Sequence, residues 1–231
     1  VAAASDLSRA FEELAQAFEA KTHQEVSFAF GSTGLLAKQL REGAPFDLFA
    51  AANVSFVTEV VKAGACDGAT QAPYARGRIV IWTKEGLVKP ATSLTDLAHP
   101  RFQRIAIANP EHAPYGKAAK EALEKQGLWK KIEPRMVYGE NVRQTLQFAQ
   151  SGNAEAAIVA QSLVIGSSGG TMLLVDDALH APIDQALVAC NHGENKAGAT
   201  AFASFVNSPE GRVVMRRYGF TLAGEASATA H

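Results

Sequence analysis

The first 53 residues, VAAASDLSRAFEELAQAFEAKTHQEVSFAFGSTGLLAKQLREGAPFDLFAAAN, decide the fold class. Residues 1–4 read as a short buried strand. Over residues 6–21, Leu7, Phe11, Leu14 and Phe18 recur at i, i+4, i+7 and i+11, which is one apolar face of an amphipathic helix. Residues 26–30 (VSFAF) are predicted to form a second strand. Residues 34–41 form a short helix with Leu36 and Leu40 inward, stopped by Gly43 and Pro45. Residues 46–51 (FDLFAA) are a third strand, and Asn53 can cap a helix whose inner face is Phe56, Val57, Val60 and Val61. Strand and helix thus alternate three times, which predicts a parallel sheet with right-handed crossovers.

The alternation resumes further along. Residues 78–83 (RIVIWT) make a β-branched and aromatic strand, and a turn-rich stretch follows over residues 86–99, with a small helix start at Ser93. A strand at 104–108, a helix at 117–126 ended by Gly127, a strand at 135–138, a helix at 142–150 and a buried strand at 156–160 complete a second α/β unit. Ser167-Ser-Gly-Gly is a flexible turn before a strand at 171–175. A late strand, 186–190 (ALVAC), leads to a helix at 196–206 with Phe202, Phe205 and Val206 on one face. Ser208 caps a last helix that has Pro209 at its first position and ends at Gly219. With no repeat and no low-complexity linker, the two units are expected to be joined by strands.

Composition narrows the function. At 231 residues the chain makes one large domain or two small ones. Its 47% apolar content can fill a core, which excludes a disordered tail. No apolar run approaches the roughly 20 residues that a membrane span needs. The 22 basic and 23 acidic residues leave a net charge of −1 and form no basic run, which argues against nucleic acid as a partner. Cys66 and Cys190 make at most one bridge. The sequence opens directly into a strand, without Met, a basic n-region or an apolar h-region. That reads as a mature exported product with its signal peptide removed, although an engineered truncation reads the same.

Four places repeat one pattern, a strand running into a small or polar residue at which a helix starts. They are Ala4-Ser5-Asp6, Gly31-Ser32-Thr33-Gly34, Pro114-Tyr115-Gly116-Lys117 and Gly139-Glu140-Asn141-Val142. A helix N-terminus leaves its first N–H groups unpaired and carries about half a positive charge. Several such termini aimed at one point make an anion site without a buried Lys or Arg, and Ser5 and Ser32 would add hydroxyl donors. Open parallel sheets bind ligands beyond the carboxyl ends of their strands, where these turns lie. The competing reading is plain capping, since Ser, Thr, Asp and Asn are ordinary helix caps. Other chemistry has less support. Gly31-Ser-Thr-Gly lacks the full G-x-S-x-G elbow, and Glu111-His112 fits a turn hydrogen bond better than an acid/base pair. The histidines and cysteines show no metal-ligand spacing, and no nucleotide-binding glycine motif is present. Tyr74, Trp82 and Trp129 are expected to pack in the core or at a hinge.

An ordered series of fragments runs the length of the chain: Ala3-Ala-Ser-Asp-Leu, Phe30-Gly-Ser-Thr-Gly-Leu-Leu, Phe46-Asp-Leu-Phe-Ala-Ala-Ala, Asn109-Pro-Glu-His-Ala-Pro-Tyr-Gly, Glu140-Asn-Val-Arg-Gln-Thr-Leu and Ala157-Ile-Val. Together they resemble the periplasmic molybdate-binding proteins of ABC importers. The resemblance implies the two-lobed α/β fold of class II periplasmic binding proteins, with mixed, mainly parallel sheets, helices on both faces, two hinge strands and a ligand cleft between the lobes. Lobe one would be residues 1–79 plus 186–231, and lobe two residues 80–185. The chain would cross between them near 80–83 and again near 184–188.

Carried over position by position, the resemblance makes Ser5 and Ser32 donors through hydroxyl and amide, with the Asp6 amide as a neighbour. Tyr115, where the family often has alanine, and Val142 would each give a backbone N–H. Many relatives place a tyrosine just after the Ile-Val strand, where this chain has Ala160. Either a donor is missing there, or Tyr115 or another group replaces it. The implied ligand is molybdate or tungstate, the implied partner a membrane permease, and the implied setting the periplasm. The protein would be a monomer with no cofactor, no protein-held metal and no catalytic role. Rival readings are a binding protein for sulfate, thiosulfate or phosphate, the ligand-sensing domain of a regulator, and an enzyme using Ser32 or His112. A Cys66–Cys190 bridge is possible in an oxidising compartment if both cysteines fall in lobe one, but sequence does not show whether their Cα atoms lie within reach.

Overall fold

A computed structural model describes residues 1–222 together with Gly224 and Glu225. The C-terminal part of the expected lobe one includes residues 223 and 226–231, which lie outside the described residues. The chain divides into two compact units: residues 1–77 with the segment from Asp184 onward, and Arg78–Ile183. It therefore leaves the first unit between Gly77 and Arg78 and returns between Ile183 and Asp184.

In the first unit, β1 (Ala2–Ala4) is followed by a 3-10 turn, Ser5–Leu7, and by α1 (Ser8–Thr22). Then come β2 (Ala29–Gly31), α2 (Thr33–Arg41), β3 (Leu48–Ala51), α3 (Val54–Lys62) and β4 (Ala72–Gly77). In the second unit, β5 (Ile79–Lys84), β6 (Ile105–Ala108), α4 (Pro114–Lys125), α5 (Trp129–Ile132), β7 (Met136–Gly139), α6 (Val142–Gln150), β8 (Ala156–Ala160), α7 (Gln161–Val164) and β9 (Gly170–Leu174) follow in order. β10 (Ile183–Ala189) carries the chain back, and α8 (Lys196–Val206), α9 (Pro209–Arg217) and β11 (Thr221–Leu222) close the first unit.

The first sheet has six strands in the order β11-β4-β10-β3-β1-β2. β1 pairs in parallel with β2 and β3, while β10 runs antiparallel to β3 and β11 antiparallel to β4. Phe49 and Ala51 of β3 share a fully buried cluster with Leu36 and Leu40 of α2 and with Val57 and Val60 of α3. A second, aromatic cluster joins α1 to α8, with the ring centroids of Phe11 and Phe18 standing 5.7 and 5.4 Å from that of Phe202 in edge-to-face contact. The second sheet has five strands in the order β7-β6-β8-β5-β9. β6 is parallel to β7 and β8, and β5 is antiparallel to β8 and β9.

Several sequence expectations are corrected. Both sheets are mixed, as expected, but they are not mainly parallel: β5 runs antiparallel to β8 and β9, β10 to β3, and β11 to β4. The strand expected at 26–30 is only Ala29–Gly31, since its partner β1 spans three residues. The strand expected at 46–51 begins at Leu48. The helix expected to begin at residue 117 begins at Pro114, with proline in the first turn, where its missing N–H costs nothing. Residues 72–77 (APYARG) form a strand although their pattern is poor for one. They are held by pairing, with β10 on one side and β11 on the other.

Cys66 and Cys190 form a disulfide within the first unit. They face each other across a short antiparallel bridge, flanked by hydrogen bonds from Asp67 N to Ala189 O and from Asn191 N to Ala65 O, both 2.8 Å.

Candidate functional site

β1 and β2 are adjacent parallel strands in which Ala4 is paired with Gly31. Ser5 and Ser32 are the next residue on each strand, so both lie at the same end of neighbouring strands. Both are buried, at 3% exposure. Ser5 opens the 3-10 turn, whose first bond runs from Ser8 N to Ser5 O. Ser32 is the N-cap residue of α2, yet its side chain makes no cap hydrogen bond to that helix. Asn53, Asn141, Ser93 and Ser208 all cap in the ordinary way, by accepting from N–H groups of the first turn. Plain capping therefore does not account for Ser32.

Asp6 lies within the same turn as Ser5 and is 1% exposed. Its Oδ2 accepts a 2.9 Å hydrogen bond from Gln185 Nε2 on β10. Gln185 Oε1 in turn accepts from the Tyr74 hydroxyl at 2.7 Å. Burial, and secondarily the Asp6 charge, hold the Tyr74 pKa well above the usual tyrosine value, so Tyr74 keeps the proton it donates. Thr33, beside Ser32, accepts a 3.2 Å hydrogen bond at Oγ1 from Ala52 N. Nothing in the sequence pattern signals the parts played by Gln185, Tyr74 and Thr33. They are joined by strand pairing between segments far apart in the chain.

In the second unit, the parallel strands β6 and β7 pair Ala108 with Gly139. Asn109 N donates to Gly139 O at 2.8 Å, which extends the pairing by one residue. Val142 is the first residue of α6. The Asn141 side chain takes the N–H groups of Arg143 and Gln144 and leaves that of Val142 outside the cap. Tyr115 is the second residue of α4 and is 3% exposed. Two glycines allow these helices to begin where they do. A Cβ on Gly116 would collide with the Ala108 carbonyl, and one on Gly139 would collide with Thr145. The second unit thus brings Tyr115 and Val142 to the carboxyl ends of adjacent strands, as the first unit does Ser5 and Ser32.

Ala160 is the last residue of β8, is fully buried and pairs with Ile79. Glu111 and His112 lie in the loop before α4, and Asn109 Oδ1 accepts from Glu111 N at 3.0 Å, a turn arrangement. Tyr74 and Trp82 are buried. Among the described residues no three His, Cys, Asp or Glu side chains gather as a metal group.

Two α/β units, the second inserted into the first and each with a mixed sheet flanked by helices, make up the class II periplasmic binding protein fold. The sequence matches the model for bacterial extracellular solute-binding proteins over residues 1–221. The chain is 36% identical over 222 residues to the molybdate-binding protein ModA of Rhodobacter capsulatus, covering 95% of this chain and 86% of that one. It is 33% identical over 226 residues to ModA of Azotobacter vinelandii, covering 96% and 89%. Its fold matches the solved structure of an Azotobacter vinelandii periplasmic molybdate-binding protein with a TM-score of 0.89 and 29% identity, over 96% of this chain and 97% of the other. The chain belongs to the ModA, or molybdate-binding, family of bacterial extracellular solute-binding proteins. Members of that family bind solutes for transport and are not enzymes.

Proposed function

We propose that the protein binds molybdate or tungstate with high affinity in the periplasm and delivers it to the permease of an ABC importer. The donors are the hydroxyls and amides of Ser5 and Ser32, the Asp6 amide, and the backbone N–H groups of Tyr115 and Val142. The observation that carries this reading is the register pair Ala4–Gly31, which sets two buried serines side by side at the carboxyl ends of parallel strands. The relatives' names supply the ligand class.

The chemistry suits the task. Molybdate and tungstate are tetrahedral dianions whose oxygens only accept hydrogen bonds at neutral pH. Neutral N–H and O–H donors satisfy them without a buried counter-charge. Sulfate carries the same charge but is smaller. In a cavity sized to the longer metal–oxygen bonds its hydrogen bonds are stretched, and stretched bonds weaken steeply. The protein acts as a monomer, and no nucleic acid takes part.

A thermal-shift screen of ligand-free protein against molybdate, tungstate, sulfate, phosphate and nitrate tests this reading. A ligand at 100 times its Kd adds about 2.7 kcal/mol, or roughly 5–10 °C for a chain of this size. Large shifts with molybdate and tungstate alone are expected. A shift with sulfate or phosphate alone replaces the ligand, and no shift with any of the five removes the oxyanion reading.

A further inference from the structure

Beneath the two serine turns of the first unit runs a continuous buried polar chain. Thr33 Oγ1 accepts from Ala52 N at 3.2 Å, and the other end of that peptide unit, Ala51 O, lies 3.3 Å from the Tyr74 hydroxyl. The hydroxyl's shorter contact, 2.7 Å, is to Gln185 Oε1, and Gln185 Nε2 donates to Asp6 Oδ2 at 2.9 Å. Tyr74, Gln185 and Asp6 are each 1% exposed. The chain begins beside Ser32 and ends beside Ser5. Its middle members stand on β4, which leads out of the unit, and on β10, two residues after the chain re-enters it.

The chemistry of each member fixes its direction. A protonated tyrosine donates and a carboxylate only accepts. The residue between them must accept at one end and donate at the other, which a primary amide does and neither a carboxylate nor an alkyl group can. The Gln185 amide also holds a negative charge, that of Asp6, within a turn expected to face a dianion. Bound to Gln185, the carboxylate is directed toward β10 and its charge is partly neutralised by the N–H dipole. Released from it, the carboxylate repels a dianion at the adjacent serine.

We propose that Gln185 is a positioning residue for the oxyanion site: with Tyr74 it anchors the Asp6 carboxylate in the core, so that the Ser5–Asp6 turn presents its donors and not its charge. This rests on the oxyanion reading above, which the same experiment checks separately.

The test is titration calorimetry with molybdate on wild type, Gln185→Ala, Asp6→Asn/Gln185→Ala and Tyr74→Phe, with the melting temperature of each ligand-free protein measured alongside. Gln185→Ala is expected to weaken binding about tenfold or more. Asp6→Asn placed in that background should recover at least threefold of the loss, because the released charge is gone. A purely structural role for Gln185 predicts no such recovery by charge removal. Tyr74→Phe removes only a hydroxyl and should weaken binding at least threefold. It decides the matter if Gln185→Ala does not fold. Wild-type affinity in Gln185→Ala or in Tyr74→Phe, or a loss that Asp6→Asn leaves unchanged, overturns the inference while leaving the oxyanion reading intact. A wild-type protein that binds no molybdate overturns both.

Discussion

Ser5 and Ser32 each stand one residue beyond a register pair, Ala4 and Gly31, on neighbouring parallel strands. Both side chains are buried, and that of Ser32 does not cap the helix it begins. Serine at an N-cap ordinarily stabilises its own helix through its side-chain oxygen. Here the position is filled by a capping residue type whose hydroxyl is not spent on the cap.

Replacing Ser32 by Ala should therefore weaken molybdate binding and leave stability largely intact. Loss of one donor to a buried anion costs roughly 1.5–3 kcal/mol, about 10- to 150-fold in affinity. Calorimetric titration measures it, and an unchanged Kd would remove Ser32 from the site.

Tyr115 is expected to serve through its backbone N–H, as the second residue of α4. Tyr115→Phe should then bind molybdate within about twofold of wild type, since a change of that size is a small fraction of one hydrogen bond. A loss of tenfold or more would show that its hydroxyl supplies the donor that is absent at Ala160.

The Cys66–Cys190 bridge closes a loop with a sequence separation of 124, and that loop contains the whole of Arg78–Ile183. Closing a loop of this length contributes about 5 kcal/mol on chain-entropy grounds. Reduction, or Cys66→Ser with Cys190→Ser, should lower the denaturation midpoint by a corresponding amount while leaving molybdate affinity within about twofold. Equal midpoints for oxidised and reduced protein would show that the bridge adds nothing to stability.

Tyr74 makes stability pH-dependent on the alkaline side. Its pKa in the folded protein is raised by burial, and further by Asp6, while in the unfolded chain it returns to about 10. Between these values the folded state holds a proton that the unfolded state has lost. The stability tied to this group is complete below about pH 10 and declines above it by about 1.4 kcal/mol per pH unit. Urea unfolding from pH 9 to 11.5 should show a decline shallower by about one proton in Tyr74→Phe. Parallel declines in the two proteins would place the alkaline sensitivity elsewhere.

Much of the fold is written locally. The i, i+4, i+7, i+11 spacing of Leu7, Phe11, Leu14 and Phe18 marks one apolar face that runs from the Ser5–Leu7 turn into α1, and all four are buried. Asn53, Asn141 and Ser208 announce the helices they cap. What escapes the sequence is long-range. Residues 72–77 carry Pro73 and Gly77 and no alternation, and become a strand only because β10 and β11 lie alongside. The Asp6–Gln185–Tyr74 chain joins residues separated by 179 and 111 positions. Neither periodicity nor capping can reveal such a link, which exists only once the sheet order is set. The serine turns were legible as strand-to-helix junctions, but their adjacency depends on the register of β1 against β2, which three-residue strands encode weakly.

The most direct test of the central claim is a calorimetric titration of ligand-free protein with molybdate, alone and in the presence of a 100-fold excess of sulfate. Tight binding at one site per chain, unchanged by the sulfate, is the expected result. Binding abolished by sulfate, or no heat with molybdate at all, would contradict it.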